Sequence, residues 1–221
     1  MRTQLTALLG ATLVVLVFTG VATADKERIK LTPVGQAAAK TAVLTRPDLG
    51  TATGWTGGAK KPDLSSSLDC KSYNPKQSDL VLIGAAESVW QNTGIQFDSE
   101  AQVLETSGMV QLDWQRTVLS PKVLPCLRTG FVKELPTSEK LVSIGRVAFP
   151  NIAPNTRKYR FVVEVKKVRV MIDLVLVGSG QTEITLATTA PLADAEPVNA
   201  AEVRLTTALL SRAAKSSATI A

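Results

Sequence analysis

The chain has 221 residues, 45% of them hydrophobic but only 5% aromatic, with 25 basic against 19 acidic side chains, two cysteines and no histidine. Without histidine there is no zincin motif, no Ser-His-Asp triad and no Cys-His dyad. No nucleophile elbow, P-loop, dinucleotide fingerprint or EF-hand loop occurs, and two cysteines cannot complete a four-ligand zinc site, so the expectation is a protein that is not an enzyme and holds neither metal nor cofactor.

The first segment reads as a signal peptide over residues 1–24. Arg2 precedes an uncharged apolar run from Leu5 to Val21, and Ala22-Thr23-Ala24 supplies a small-x-small cleavage pattern before Asp25. The run is also near the roughly 20 residues that span a bilayer, so the alternative is an uncleaved N-terminal anchor. Either reading makes the remainder secreted or displayed on the extracytoplasmic cell surface. A mild positive excess suits an anionic envelope polymer or membrane surface and is far from the dense basic stripe of a nucleic-acid binder. In an oxidising compartment Cys70 and Cys126 form the only intramolecular disulfide available, closing a long loop for roughly 4 kcal/mol on chain-entropy arithmetic.

After a charged connector over residues 25–31, Thr32 and Pro33 read as the cap and first residue of a helix that carries Val34, Ala37, Ala38, Thr41 and Leu44 and stops at Pro47. Residues 53–68 predict a short strand running into a serine-rich loop that ends at Cys70. Leu80, Leu82, Ala86 and Trp90 then follow strand spacing, Asn92-Thr93-Gly94 turns, and Ile95, Phe97, Ser99, Ala101 and Val103 alternate on the return. Thr106 or Ser107 caps a middle helix with Val110, Trp114 and Val118 on one face, broken or restarted at Pro121 and Pro125 and carrying Cys126. Leu141–Ala148, Tyr159–Val165, Val168–Val177 and Thr182–Thr188 predict a four-strand antiparallel meander with one buried and one partly wet face. A last helix begins near Pro197 with Val198, Ala201, Leu205, Ala208 and Leu209 on one side. The fold class is α+β: a central, mostly antiparallel sheet covered by about three helices, one domain over 32–212, and a disordered tail over 213–221.

Three groups are candidate sites. Trp55, Trp90 and Trp114 can line a cleft between sheet and middle helix for a small apolar or glycan ligand, although core packing accounts for them equally in kind. Arg157, Lys158, Arg160, Lys166, Lys167 and Arg169 crowd around one hairpin and can meet an anionic surface, or simply solvate the hairpin. Asp173 and Glu183 are the pair for a secreted carboxylate-dependent hydrolase, against which stands ion pairing of Asp173 with Arg169, Arg160 or Arg146.

The phrase Val43-Leu44-Thr45-Arg46-Pro47-Asp48-Leu49 leading to Gly54-Trp55, the positions of Cys70 and Cys126, and the terminal meander with its closing helix resemble actinobacterial exported proteins with PknH-like extracellular sensor domains, and the PsbP-like envelope lipoproteins. The resemblance implies an α+β domain with a cleft for a small ligand. Sensor domains of that type carry two disulfides where this chain has cysteines for one, and no lipid-acceptor cysteine follows the leader. The function expected from residues and resemblance together is an exported, non-catalytic binding or sensor-like domain for an envelope-derived lipid or glycan; a structural envelope protein held by its anchor is a further alternative.

Overall fold

Thr32 caps the first helix as its sequence requires. Its Oγ1 accepts from the Gly35 N–H at 3.0 Å, Pro33 sits where a missing N–H costs nothing, and helix α1 runs Pro33–Thr41. The computed structural model describes residues 25–64, 70 and 73–220; the expected leader over 1–24, most of the serine-rich loop and Ala221 lie outside the described residues.

Eight strands form one sheet. The first, β1 (Arg28–Ile29), is parallel to β3 (Val81–Asn92), which also pairs antiparallel with β2 (Thr56–Lys60) and with β4 (Ile95–Leu104). The C-terminal meander comprises β5 (Glu139–Arg146), β6 (Asn155–Val165), β7 (Val168–Ser179) and β8 (Thr182–Pro191), and β8 closes the sheet against β4, giving the order β1-β3-β4-β8-β7-β6-β5. The mostly antiparallel α+β architecture read from the sequence is the observed one.

Helices cover both faces. On one side α1 and the long α4 (Ala195–Ile220) enclose Ala39, Val43, Phe97, Val103, Val175, Leu186, Leu205 and Leu209. On the other, the middle helical stretch is two helices, α2 (Ser107–Arg116) and α3 (Val123–Glu134), separated around Ser120-Pro121, with Pro125 tolerated in the first turn of α3. Thr106 caps α2 by accepting from the Met109 N–H. Among the described residues the sheet has four covering helices, the expected middle helix being two. The disulfide Cys70–Cys126, with Cα atoms 5.6 Å apart, ties the loop before β3 to α3.

Three expectations are corrected by packing. A bulge between Leu82 and Gly84 reverses the phase of β3, so Leu82 packs under α2 while Ala86 faces the α1 side. The bulge sits against α1: a Cβ on Gly84 would lie 2.0 Å from the Gly35 carbonyl oxygen, and one on Gly35 would lie 2.3 Å from that of Ile83. Secondly, the wet face expected for β6 is covered by α4. Lys158 is 1% exposed there, donating to Asn199 at 2.9 Å and to Glu202 at 2.5 Å and forming an ion pair with Asp173 at 2.8 Å, while Arg160 grips both oxygens of Asp173 at 2.6 Å. Thirdly, the small-residue stretch expected to be a disordered tail continues α4 to Ile220, because Ala213 is buried beside α1 and Ser216 Oγ lies 2.7 Å from Thr41 Oγ1.

The β6–β7 connection is a two-residue loop whose central residues, Lys166 and Lys167, have φ of 49° and 70°. Neither is the asparagine or glycine that such a turn prefers. Replacing them together, Lys166→Asn with Lys167→Gly, is expected to raise stability by about 1 kcal/mol, read from the urea midpoint. Lys158→Met removes the cation from two buried carboxylates and is expected to cost about 3–5 kcal/mol in the same measurement; a loss below 1 kcal/mol would show that the ion cluster does not hold α4.

Candidate ligand-binding site

The sequence-derived candidates scatter over the fold. Trp55 and Trp90 are on the α1 side, Trp55 stacked on Phe97 with ring centroids 5.5 Å apart and the Trp90 indole N–H donated to the Leu44 carbonyl at 3.3 Å. Trp114, on α2, is on the opposite face, 2% exposed, its indole fitted where Gly178 has no side chain. The three rings do not share a cleft. The six basic residues do not form one patch either: Lys166, Lys167 and Arg169 are near the hairpin tip, Arg157 is at the far end of β6, and Lys158 and Arg160 are turned into the ion cluster beneath α4. Asp173 is paired with Arg160, as cross-strand chemistry suggests. Its register partner is Thr188, so it shares the phase of Ile184 and Leu186, whereas Glu183 points to the other face. The sheet separates the two carboxylates proposed for hydrolysis.

A cavity of about 240 Å³ lies where Glu183 does point, between the β4–β8 part of the sheet and α2. Alternation on β4 puts Glu100 and Gln102 on this face, because Ala101 and Val103 occupy the opposite one in the core. Helix α2 contributes Asp113 and Trp114, with Thr117 just beyond its last turn; Glu27 comes from the segment before β1, and Gln77 from the turn before β3. Asp25 fixes that turn, its carboxylate accepting from the Gln77 and Ser78 N–H groups at 2.7 and 2.9 Å.

The cavity is rich in acceptors. Gln77 is 8% exposed and donates its Nε2 to Asp113 at 2.8 Å, which leaves its buried Oε1 without a donor. Gln102 likewise spends an amide N–H on Glu100 at 2.7 Å, and Glu183 Oε1 is buried and unpaired. Burial and the neighbouring Asp113 push the Glu183 carboxyl well above the ordinary range; the two groups are within hydrogen-bonding reach, which requires a proton between them. Burial also raises Glu27, Glu100 and Asp113. Further along the same sheet face, burial and then Glu87 push Asp98 up to about 6. Among the described residues no three Cys, Asp or Glu side chains converge as a metal-ligand set.

No protein-family model matches the chain, and no curated protein matches it. A crystal structure of an uncharacterised protein from Mycobacterium smegmatis, the Rv0999 ortholog, is similar with a TM-score of 0.43 and 13% identity over 79% of this chain and 97% of its own. That likeness assigns no function. The resemblance to sensor-type and PsbP-like domains rests on residues 43–55 and the two cysteines and has no family-level counterpart.

Sequence reasoning missed Glu27, Gln77, Glu100, Gln102 and Asp113. The available signal was acidic and amide residues at the non-core phase of β4, which ordinarily means solvent; α2, lying over them, gives them a different role. A carboxyl whose folded-state pKa is raised retains its proton in the folded chain where the unfolded chain has lost it, so stability falls as pH rises from about 4 through the folded value. Although burial pushes Asp48 up, Arg212 and the Thr45 N–H bring it below its usual range, and its contribution is lost only at pH values beneath that window. The protein is therefore expected to melt at a higher temperature at pH 5 than at pH 7.5. Asp98→Asn should remove at most about 1.4 kcal/mol of that difference between pH 5 and pH 7.5; a melting temperature that rises between the two pH values would contradict the prediction.

Proposed function

We propose that this protein is an extracytoplasmic, non-catalytic binding domain of the sensor-like kind, and that the cavity between the sheet and α2 takes a small polar fragment of an envelope glycan. The observation that carries the reading is the cavity itself: solvent-reachable, backed by the rigid Trp114 ring, and equipped with two amides and the Thr117 and Thr185 hydroxyls among its carboxyls. Convergent polar groups on a partly apolar wall are the usual composition of a small-molecule site. The volume is below the ~300–1,000 Å³ typical of drug-sized ligands, which favours one ring or a short branch. Its polarity favours a glycan over an acyl chain, whose burial against carboxyls would leave them unsatisfied.

Export is supported by the leader-like first 24 residues and by the Cys70–Cys126 disulfide, a bond that persists outside reducing compartments. Hydrolysis is less well supported. Asp113 and Glu183 are within hydrogen-bonding reach of one another, whereas paired glycosidase carboxyls stand at least ~5 Å apart across the scissile bond.

The test is a titration of the disulfide-intact protein with monosaccharides and short envelope oligosaccharides, followed through amide and indole N–H resonances. Shifts are expected at Gln77, Gln102 and the Trp114 indole. Thr185→Val, which removes one hydroxyl with little change of shape, should weaken binding about fivefold, as expected for a lost neutral hydrogen bond. Shifts confined to Trp55 and Trp90, or none with any glycan, would overturn the assignment.

A further inference from the structure

We propose that the cavity selects ligands that carry a protonated primary amine, an amino sugar above its neutral counterpart, with the ammonium attracted by Glu27, Glu100, Asp113 and Glu183 beside Gln77. This rests on the binding reading above and names the ligand chemistry.

The argument is a balance of donors and charge. Among the described residues four carboxyls line the cavity and no lysine or arginine does. The cations close by are engaged elsewhere: Arg116, on α2, holds both oxygens of Asp79 at 2.6 and 3.1 Å, and Lys60, on β2, pairs with Glu87 at 2.7 Å. Lys26 precedes Glu27 and Asp63 adds further negative potential near Glu100. Each amide gives one N–H to a carboxyl, and the Gln77 and Glu183 Oε1 atoms are left without a donor. Gln77 adds a second observation: it lines the cavity, it is 8% exposed, and because turning its amide over would lose the 2.8 Å bond to Asp113, its Oε1 is a buried acceptor without a donor.

A neutral hydroxyl brings one donor and no charge, whereas an ammonium brings three donors and the missing positive charge. Burial keeps the carboxyls partly protonated when the cavity holds no cation, so an arriving ammonium displaces a proton from the Asp113–Glu183 pair into solvent. Capture is thereby coupled to pH: at lower pH the pair keeps its proton and the site offers an ammonium less negative charge.

The experiment is isothermal titration calorimetry of the disulfide-intact protein with glucosamine, N-acetylglucosamine, glucose, ethanolamine and calcium, at pH 7.0 and 5.0, in two buffers of different ionisation heat. Glucosamine is expected to bind at least tenfold more tightly than glucose or N-acetylglucosamine, to lose about tenfold at pH 5.0, and to release a proton at pH 7.0 that the buffer comparison reveals. Glu183→Gln should remove the proton release and weaken glucosamine about tenfold with glucose unaffected; Glu100→Gln gives the affinity test independently should the first variant not fold. Equal affinity for glucosamine and the two neutral sugars would overturn the amine proposal and leave the binding reading standing. Ethanolamine binding without glucosamine would uphold the ammonium site and overturn the glycan reading. Calcium displacing glucosamine would overturn the proposal in favour of a metal, and no heat with any probe would overturn both readings.

Discussion

Lys158 anchors one side of the molecule. An ammonium in the middle of a central strand is tolerated because it donates to Asn199 and Glu202 from α4 and lies in ion-pair contact with Asp173 of the neighbouring strand. Arg160 supplies the second cation for Asp173, and the Lys158 Nζ lies 5.5 Å above the Phe149 ring. The cluster joins β6, β7 and α4 through directional bonds, so α4 is held in one position over the sheet where apolar packing alone would allow sliding. Its length then carries Leu205, Leu209 and Ala213 onto the same core that receives α1.

With that face occupied by α1 and α4, side chains of the opposite phase fall to α2 and α3. Helix α3 covers an apolar set built on Tyr159, Phe161 and Val163. Helix α2 covers Leu82, Leu104 and the less apolar surface of β4 and β8, and there the acidic residues gather without matching cations. The two faces thus resolve buried charge in opposite ways. Beneath α4 Asp173 and Glu202 have cations; beneath α2 burial raises the carboxyls of Glu27, Glu100, Asp113 and Glu183 instead. The second arrangement costs stability near neutral pH and leaves buried acceptors without donors beside a cavity, a combination that clusters at functional sites.

The close approach of α1 to the sheet depends on the absence of side chains at Gly35 and Gly84. That contact coincides with the bulge in β3, and the bulge explains why a strand whose apolar residues look continuous serves two cores. Local capping, the Asn92-Thr93-Gly94 turn, the meander and the cysteine pair were all legible, since each depends on residues near in sequence or on the only partner available. The bulge was not, because Ile83-Gly84 carries no turn chemistry of its own and its geometry answers to α1.

From the sequence alone follow the α+β class, the antiparallel pairing of the meander and the Cys70–Cys126 bond; the first two rest on period and short connections, which act locally, and the third on there being two cysteines, whereas the strand β1 within residues 25–31 goes unread. Alternation also separates the residues of each strand into two sets. It does not say what will cover each set, and that depends on helices that pack from far along the chain. Only the tertiary structure therefore decided that Lys158 is buried and paired, that Trp114 is parted from Trp55 and Trp90, and that Glu183 meets Asp113 across a cavity with the sheet between it and Asp173. Charge is the reason the difference matters: the same carboxylate is a solvated group, half of an ion pair or a proton-holding wall of a site according to what packs above it.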